Sequence, residues 1–185
     1  MRIRFDAQLR LLGEEMTHMG SMIESAIQNA THAFLNQDVE TAKRIMAEDE
    51  YIDQEQKKIE NICFQLLIQQ QPVARDLRTI TAAMKMVTDM ERIGDQAEDI
   101  AEIVAFLDGR QAENDALLKE MAKAVIQMVT ESVDAYVKCD IMLAKKVIAA
   151  DDVVDEQFAR VKQSLIGKIA ADPADGEYAL DLLMI

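Results

Sequence analysis

The sequence has no tryptophan, two prolines and six glycines, and only 4% of its 185 residues are aromatic. Strands draw on β-branched and aromatic residues punctuated by frequent turn signals, so this shortage argues against a β-sheet fold. Its two cysteines, Cys63 and Cys139, lie far apart with no CxxC spacing. That excludes a disulfide framework and a thiolate zinc site. Cys63 sits among Ile62, Phe64, Leu66 and Leu67, as a small buried hydrophobe would. No run approaches the roughly twenty apolar residues that a membrane span needs. The opening MRIRFDAQLR lacks the apolar core of a signal peptide. A cytoplasmic protein with reduced thiols is expected. Positive charge is also scarce, and the formal net charge is −14. Such a surface repels DNA, RNA, anionic lipid and free phosphate, and favours cations and basic partners. The same charge also serves solubility alone.

What remains is abundant Ala, Leu, Ile, Met, Glu and Lys, the composition of long helices. Helices are expected at about 6–34, 38–70, 73–107, 114–137 and 140–170, with a sixth from 177. Ile45, Ile52, Ile59 and Leu66 recur every seven residues and mark a packing seam. Breaks are expected near Pro72, at 108–111 and at 171–176. Asn36-Gln37-Asp38 aligns with Lys138-Cys139-Asp140. In the same register Ala42-Lys43 meets Ala144-Lys145, Ile52-Asp53 meets Val154-Asp155, and Phe34 meets Tyr136. The chain therefore reads as all-α, a tandem repeat of two three-helix bundles. The first spans 1–108. The second spans 112–185 and is truncated in helix six, which should leave an apolar seam of the fourth and fifth helices exposed and favour a homodimer.

The third helix carries the most informative segment, Asp89-Met90-Glu91-Arg92-Ile93-Gly94-Asp95-Gln96-Ala97-Glu98-Asp99. At about 100° per residue, Leu77, Ile80, Met84 and Val87 form a stripe with Glu91 in its line and Asp95 one turn on. Beyond Gly94 the apolar stripe is expected to move round to Ile93, Ile100, Val104 and Leu107, with Gly94 admitting a neighbouring element. A carboxylate in an apolar seam is costly unless it is paired or binds a cation. Asp49 and Asp53 lie about twenty residues before the Pro72 turn and Glu91 and Asp95 about twenty after it, so a hairpin brings them level. All-oxygen donors suit hard cations such as magnesium, calcium, manganese or ferric iron. The bland alternative is a solvated acidic face.

Gln71-Pro72-Val73-Ala74-Arg75-Asp76-Leu77-Arg78, then Glu91-Arg92-Ile93-Gly94-Asp95, with Phe5-Asp6 near the start and an Asp-x-x-x-Asp in each repeat, resembles the PhoU family over the whole chain. The resemblance implies two three-helix bundles with paired Glu/Asp-x-x-x-Asp motifs that hold metal. Carried across, the candidate ligands are Asp49, Asp53, Glu91, Asp95 and Asp99, with Asp151 and Asp155 in the incomplete second copy. The metal, iron, manganese, magnesium, calcium or zinc, is left open. Gln96 and Asp99 stand where the family often has His and Asn. The resemblance also implies a non-enzymatic regulator that dampens phosphate uptake and phosphate-starvation signalling. Its partners would be the ATPase subunit of a phosphate ABC transporter and a sensor histidine kinase.

Two other readings compete. A carboxylate-bridged di-metal enzyme wants Glu-x-x-His on two helices. Glu15-Met16-Thr17-His18 supplies one, while His32 follows Asn29. A metal-free helical adaptor is the other. No nucleophile–His–acid set, Gly-rich phosphate loop or basic aromatic surface is present. Arg75 and Arg78 share one face and read as an ion-pairing or solvated pair, with docking onto a transporter as a further use.

Overall fold

A computed structural model describes residues 2–70, 72, 74–107 and 115–185. Its helices are α1 (Arg2–Asn36), α2 (Val39–Gln70), α3 (Ala74–Phe106), α4 (Asp115–Lys138), α5 (Ile141–Ala171) and α6 (Gly176–Met184). A 3-10 turn, Pro173–Asp175, precedes α6. Among the described residues there is no strand. The expected linker at 108–111, and with it the boundary between the two halves, lies outside the described residues.

The repeat is written into the helix ends. Gln37 and Cys139, matched in the two copies, both adopt a left-handed backbone, with φ of 54° and 52°. Asp38 N–H donates to the Ala33 carbonyl at 2.9 Å, and Asp140 N–H donates to the Ala135 carbonyl at 2.8 Å. Each Asp then caps the next helix. The Asp38 carboxylate accepts from Thr41 N at 3.0 Å, and the Asp140 carboxylate accepts from Met142 N and Leu143 N. One local device, a left-handed residue followed by an Asp cap, thus reverses the chain twice. Pro173 opens the 3-10 turn where its missing N–H costs nothing, and Asp172 accepts from Ala174 N.

α1, α2 and α3 pack mutually, and α4 packs on both α1 and α5. α1 is the shared strut. Gly20 lets α4 come close, since a Cβ there would stand 3.2 Å from Val133. Tyr136 donates its hydroxyl hydrogen to the Thr79 carbonyl at 3.1 Å, tying α4 to α3. The core runs across both halves. Val129 and Val133 of α4 join Leu12, Met16, Ile59 and Val87. Val161 and Leu165 of α5, with Tyr178 and Leu182 of α6, join Phe34 and Val104.

The buried line of α3 differs from the expected stripe. It runs Ile80, Ala83, Val87, Met90, Gly94, Ala97, Ala101 and Val104, straight along the helix. Leu77 is exposed, and Glu91 lies at the edge of the line, half-buried. The stripe does not change sides at Gly94. Small residues continue it there, and they carry little hydrophobic weight in a sequence. In the first half Ala42, Ile45 and Ile52 are buried. Their counterparts Ala144, Val147 and Val154 are only half-buried, because α6 meets α5 at the level of Val161 and Leu165. Ile141, Ile148 and Val153 are exposed on the same helix.

Candidate functional site

The site is built where α2 and α3 approach one another at Gly94. On α2, Asp49 and Asp53 flank buried Ile52, three residues before it and one after. On α3, Gly94 removes a side chain opposite them. A Cβ there would stand 3.0 and 3.1 Å from two Ile52 methyl groups and 3.6 Å from Asp49 Oδ1. The close approach expected at Gly94 is therefore that of Ile52. Asp95, next along α3, completes a trio. One carboxylate oxygen from each of Asp49, Asp53 and Asp95 lies within 4.8 Å of the others, and all three residues are half-buried.

Other carboxylates crowd the trio. Burial, then Asp95 and Asp53, hold the Asp49 carboxyl above its ordinary range. Burial raises Glu91, and Asp95, Asp53 and Asp49 add to it against the opposing charge of Arg92. Glu98 is raised by burial, then by Asp49 and Asp95. Glu98 was not among the expected ligands. Its signal was its place one turn beyond Asp95 on the buried side of the acidic segment. Asp99 is exposed and acts on Asp49 through its charge. Little positive charge balances this group. Lys57 pairs with Asp53 at 3.3 Å, but Arg92 turns to Asp89 at 3.6 Å.

These residues fit a hard cation. Every donor in the trio is a carboxylate oxygen, the oxygens converge from two helices, and the Asp49 carboxyl is raised by burial and then by its acidic neighbours. The arrangement can neutralise and clamp; nothing in it presents an activated nucleophile. Asp151 and Asp155 are both exposed on α5. Among the described residues no third carboxylate, imidazole or thiol joins them.

In the Glu15-x-x-His18 pair the carboxylate is already engaged. Lys58 holds the Glu15 carboxylate and also donates to Glu55 at 3.2 Å, while His18 is exposed. Glu55 is buried, and burial, then a hydrogen bond with Glu15, raises its carboxyl. Its position between Ile52 and Ile59 was legible, but its partners were not. Arg75 and Arg78 are exposed beside a groove of about 790 Å³ that also meets Tyr136 and Ile148. Among the described residues neither makes an ion pair, so the solvated arrangement holds. Cys63 is fully buried, as expected.

The PhoU domain matches residues 16–104 and again residues 118–185. The chain is 38% identical over 172 residues to a phosphate-specific transport system accessory protein PhoU homolog of Clostridium acetobutylicum, covering 91% of this chain and 78% of that protein. It is 36% identical over 177 residues to the Aquifex aeolicus homolog of the same name, covering 93% and 78%. The crystal structure of PhoU from Pseudomonas aeruginosa superposes with a TM-score of 0.92 at 28% identity, over 97% of this chain and 87% of that one. The phosphate transport system regulatory protein PhoU from Streptococcus pneumoniae gives 0.89 at 26%, over 98% and 86%. With both halves matched in sequence and the whole helical arrangement shared, this chain belongs to the PhoU family.

Proposed function

We propose that the chain is a non-enzymatic, cytoplasmic regulator of phosphate uptake and phosphate-starvation signalling. It works by contact with the ATPase subunit of a phosphate ABC transporter and with a sensor histidine kinase. The observation that carries this reading is the double PhoU-domain match, together with relatives named as accessory proteins of the phosphate-specific transport system. Two features support it. Among the described residues no helix is long and apolar enough to cross a membrane, so the chain reaches a transporter by docking. The Glu15 carboxylate of the Glu15-x-x-His18 pair is taken up by Lys58. A cation held by Asp49, Asp53 and Asp95, with Glu91 and Asp99 beside them, would lock α2 to α3 and fix the shape offered to partners. Asp151 and Asp155 would contribute only alongside further ligands. The exposed apolar stretch of α5 favours a homodimer.

The test is a deletion and a pull-down. Cells lacking the chain should take up more phosphate when phosphate is plentiful. The tagged chain should retain the transporter ATPase from cells grown in high phosphate. Unchanged uptake, with no ATPase retained, would remove the regulatory reading.

A further inference from the structure

Between α1 and α2 lies a cleft of about 390 Å³ whose floor reaches Gly94 of α3. It exists because the residues facing it are small: Ser21, Ser25 and Ala26 on α1, and Gly94 below. Its volume is in the range of small-molecule sites. It is separate from the outer face of the acidic trio and shares with it only the Asp49 wall.

We propose that this cleft binds a small organic cation, an alkylammonium or short polyamine. The lining selects for hydrogen-bond donors. Ser21 gives its hydroxyl hydrogen to the Thr17 carbonyl at 3.2 Å, and Ser25 gives its own to the Ser21 carbonyl at 2.9 Å. Both hydroxyls therefore offer the cleft only lone pairs. Glu48, loosely paired with Arg44 at 3.9 Å, and Asp49 add carboxylates, which accept and do not donate. Asp49 makes no ion pair among the described residues, and the charges around it are negative. An ammonium group answers both needs: it donates three hydrogens and brings the missing charge. Met22, Ala26, Ile45 and Ile52 give an apolar floor for a short methylene chain. The Tyr51 ring, exposed at the mouth, offers a cation–π face. His18 and Asn29 are the other polar lining groups, and His18 stands exposed at the rim. Phosphate has neither the charge nor the donors for such a cleft.

The inference goes beyond the regulatory reading and does not rest on it, since it is measured on the isolated chain. Chelator-treated protein is titrated calorimetrically with 1,4-diaminobutane, butylamine, 1-butanol and inorganic phosphate. The buffer holds about 0.15 M salt, which screens a diffuse ion atmosphere beyond about 8 Å. The amines should bind saturably at one site, and butanol and phosphate should not. Ser25→Leu fills the cleft while leaving every carboxylate of the acidic trio in place and should weaken amine binding by about tenfold or more. Glu156→Gln, an exposed carboxylate on α5, should leave it unchanged. Ser21→Leu is a second filling variant should the first lose its helical circular dichroism. Mg²⁺ should compete, because both cations draw on Asp49. Amine binding as tight in both filling variants as in the native chain would overturn the proposal. So would binding of butanol equal to that of butylamine, or a titration that never saturates.

Discussion

Replacing Asp95 by Asn should stabilise the metal-free protein and cost it its response to metal. In the native chain an Asp95 oxygen lies within 4.8 Å of both Asp49 and Asp53. With water-like screening each such repulsion costs about 1 kcal/mol. All three groups are half-exposed, so salt and solvent reduce the sum to about 1 kcal/mol. For a chain of this size that is a rise in Tm of about 2–4 °C on neutralising Asp95. Metal reverses the order. A cation at a hundred times its Kd stabilises the native fold by about 2.7 kcal/mol, because the unfolded chain cannot gather ligands from two helices. The native Tm should then rise by about 5–10 °C. The variant has lost one of three converging oxygens and should gain far less. Thermal unfolding by circular dichroism, in chelator and then with Mg²⁺, Mn²⁺ or Fe³⁺, reads both effects. The two proteins should exchange rank between the two conditions. If Asp95→Asn melts no higher than the native chain in chelator, and metal leaves the native Tm where it was, the trio is a solvated acidic face.

The raised carboxyls of Asp49, Glu91 and Glu98 carry a pH dependence of definite sign. Each binds its proton more tightly folded than unfolded, so their contribution to stability rises as pH falls from neutrality into the window just above the ordinary carboxylate range, and is lost as pH rises through the folded values. Denaturant titrations of metal-free protein should show this gain, smaller in Asp49→Asn; an identical pH profile for the two proteins would contradict it. Gly94→Ala should lower Tm by about 2–4 °C despite alanine's better helix propensity, because its Cβ meets Ile52 at 3.0 Å. Ile52→Val removes the nearest methyl and should restore part of the loss, whereas a higher Tm for Gly94→Ala alone would refute the close approach. Cys63 is buried and pushed up to about 11, while Cys139 is exposed. A thiol reagent at mildly alkaline pH should therefore modify one cysteine quickly in the native protein and two in denaturant; two fast thiols in the native state would contradict the packing.

Much of this was open to reading in one dimension. The helix breaks followed from local chemistry, since a proline cannot continue the helix before it. Periodicity identified Ile45, Ile52, Ile59 and Leu66 as one seam, since residues seven apart share a helix face. Equal distances from the Pro72 turn sufficed to bring Asp49 and Asp53 level with Asp95, because rise per residue is the same on both strokes of a hairpin. The repeat aligned Asp38 with Asp140 before any coordinate showed that both are caps.

Tertiary packing decided the rest. The rotation of α3 about its own axis depends on which side chains interlock with α1 and α2, and its buried line passes through Gly94, Ala97 and Ala101, which carry too little apolar surface to announce a face. That rotation moved Glu91 to the edge of the seam and brought Glu98 toward Asp49. Nor could sequence place Lys58 between Glu15 and Glu55, since the three meet only when α1 and α2 are set side by side. The seating of α4 on α1 through Gly20 and Val133, which merges the two halves into a common core, was likewise beyond periodicity. A helical pattern states which face is buried, not which neighbour buries it.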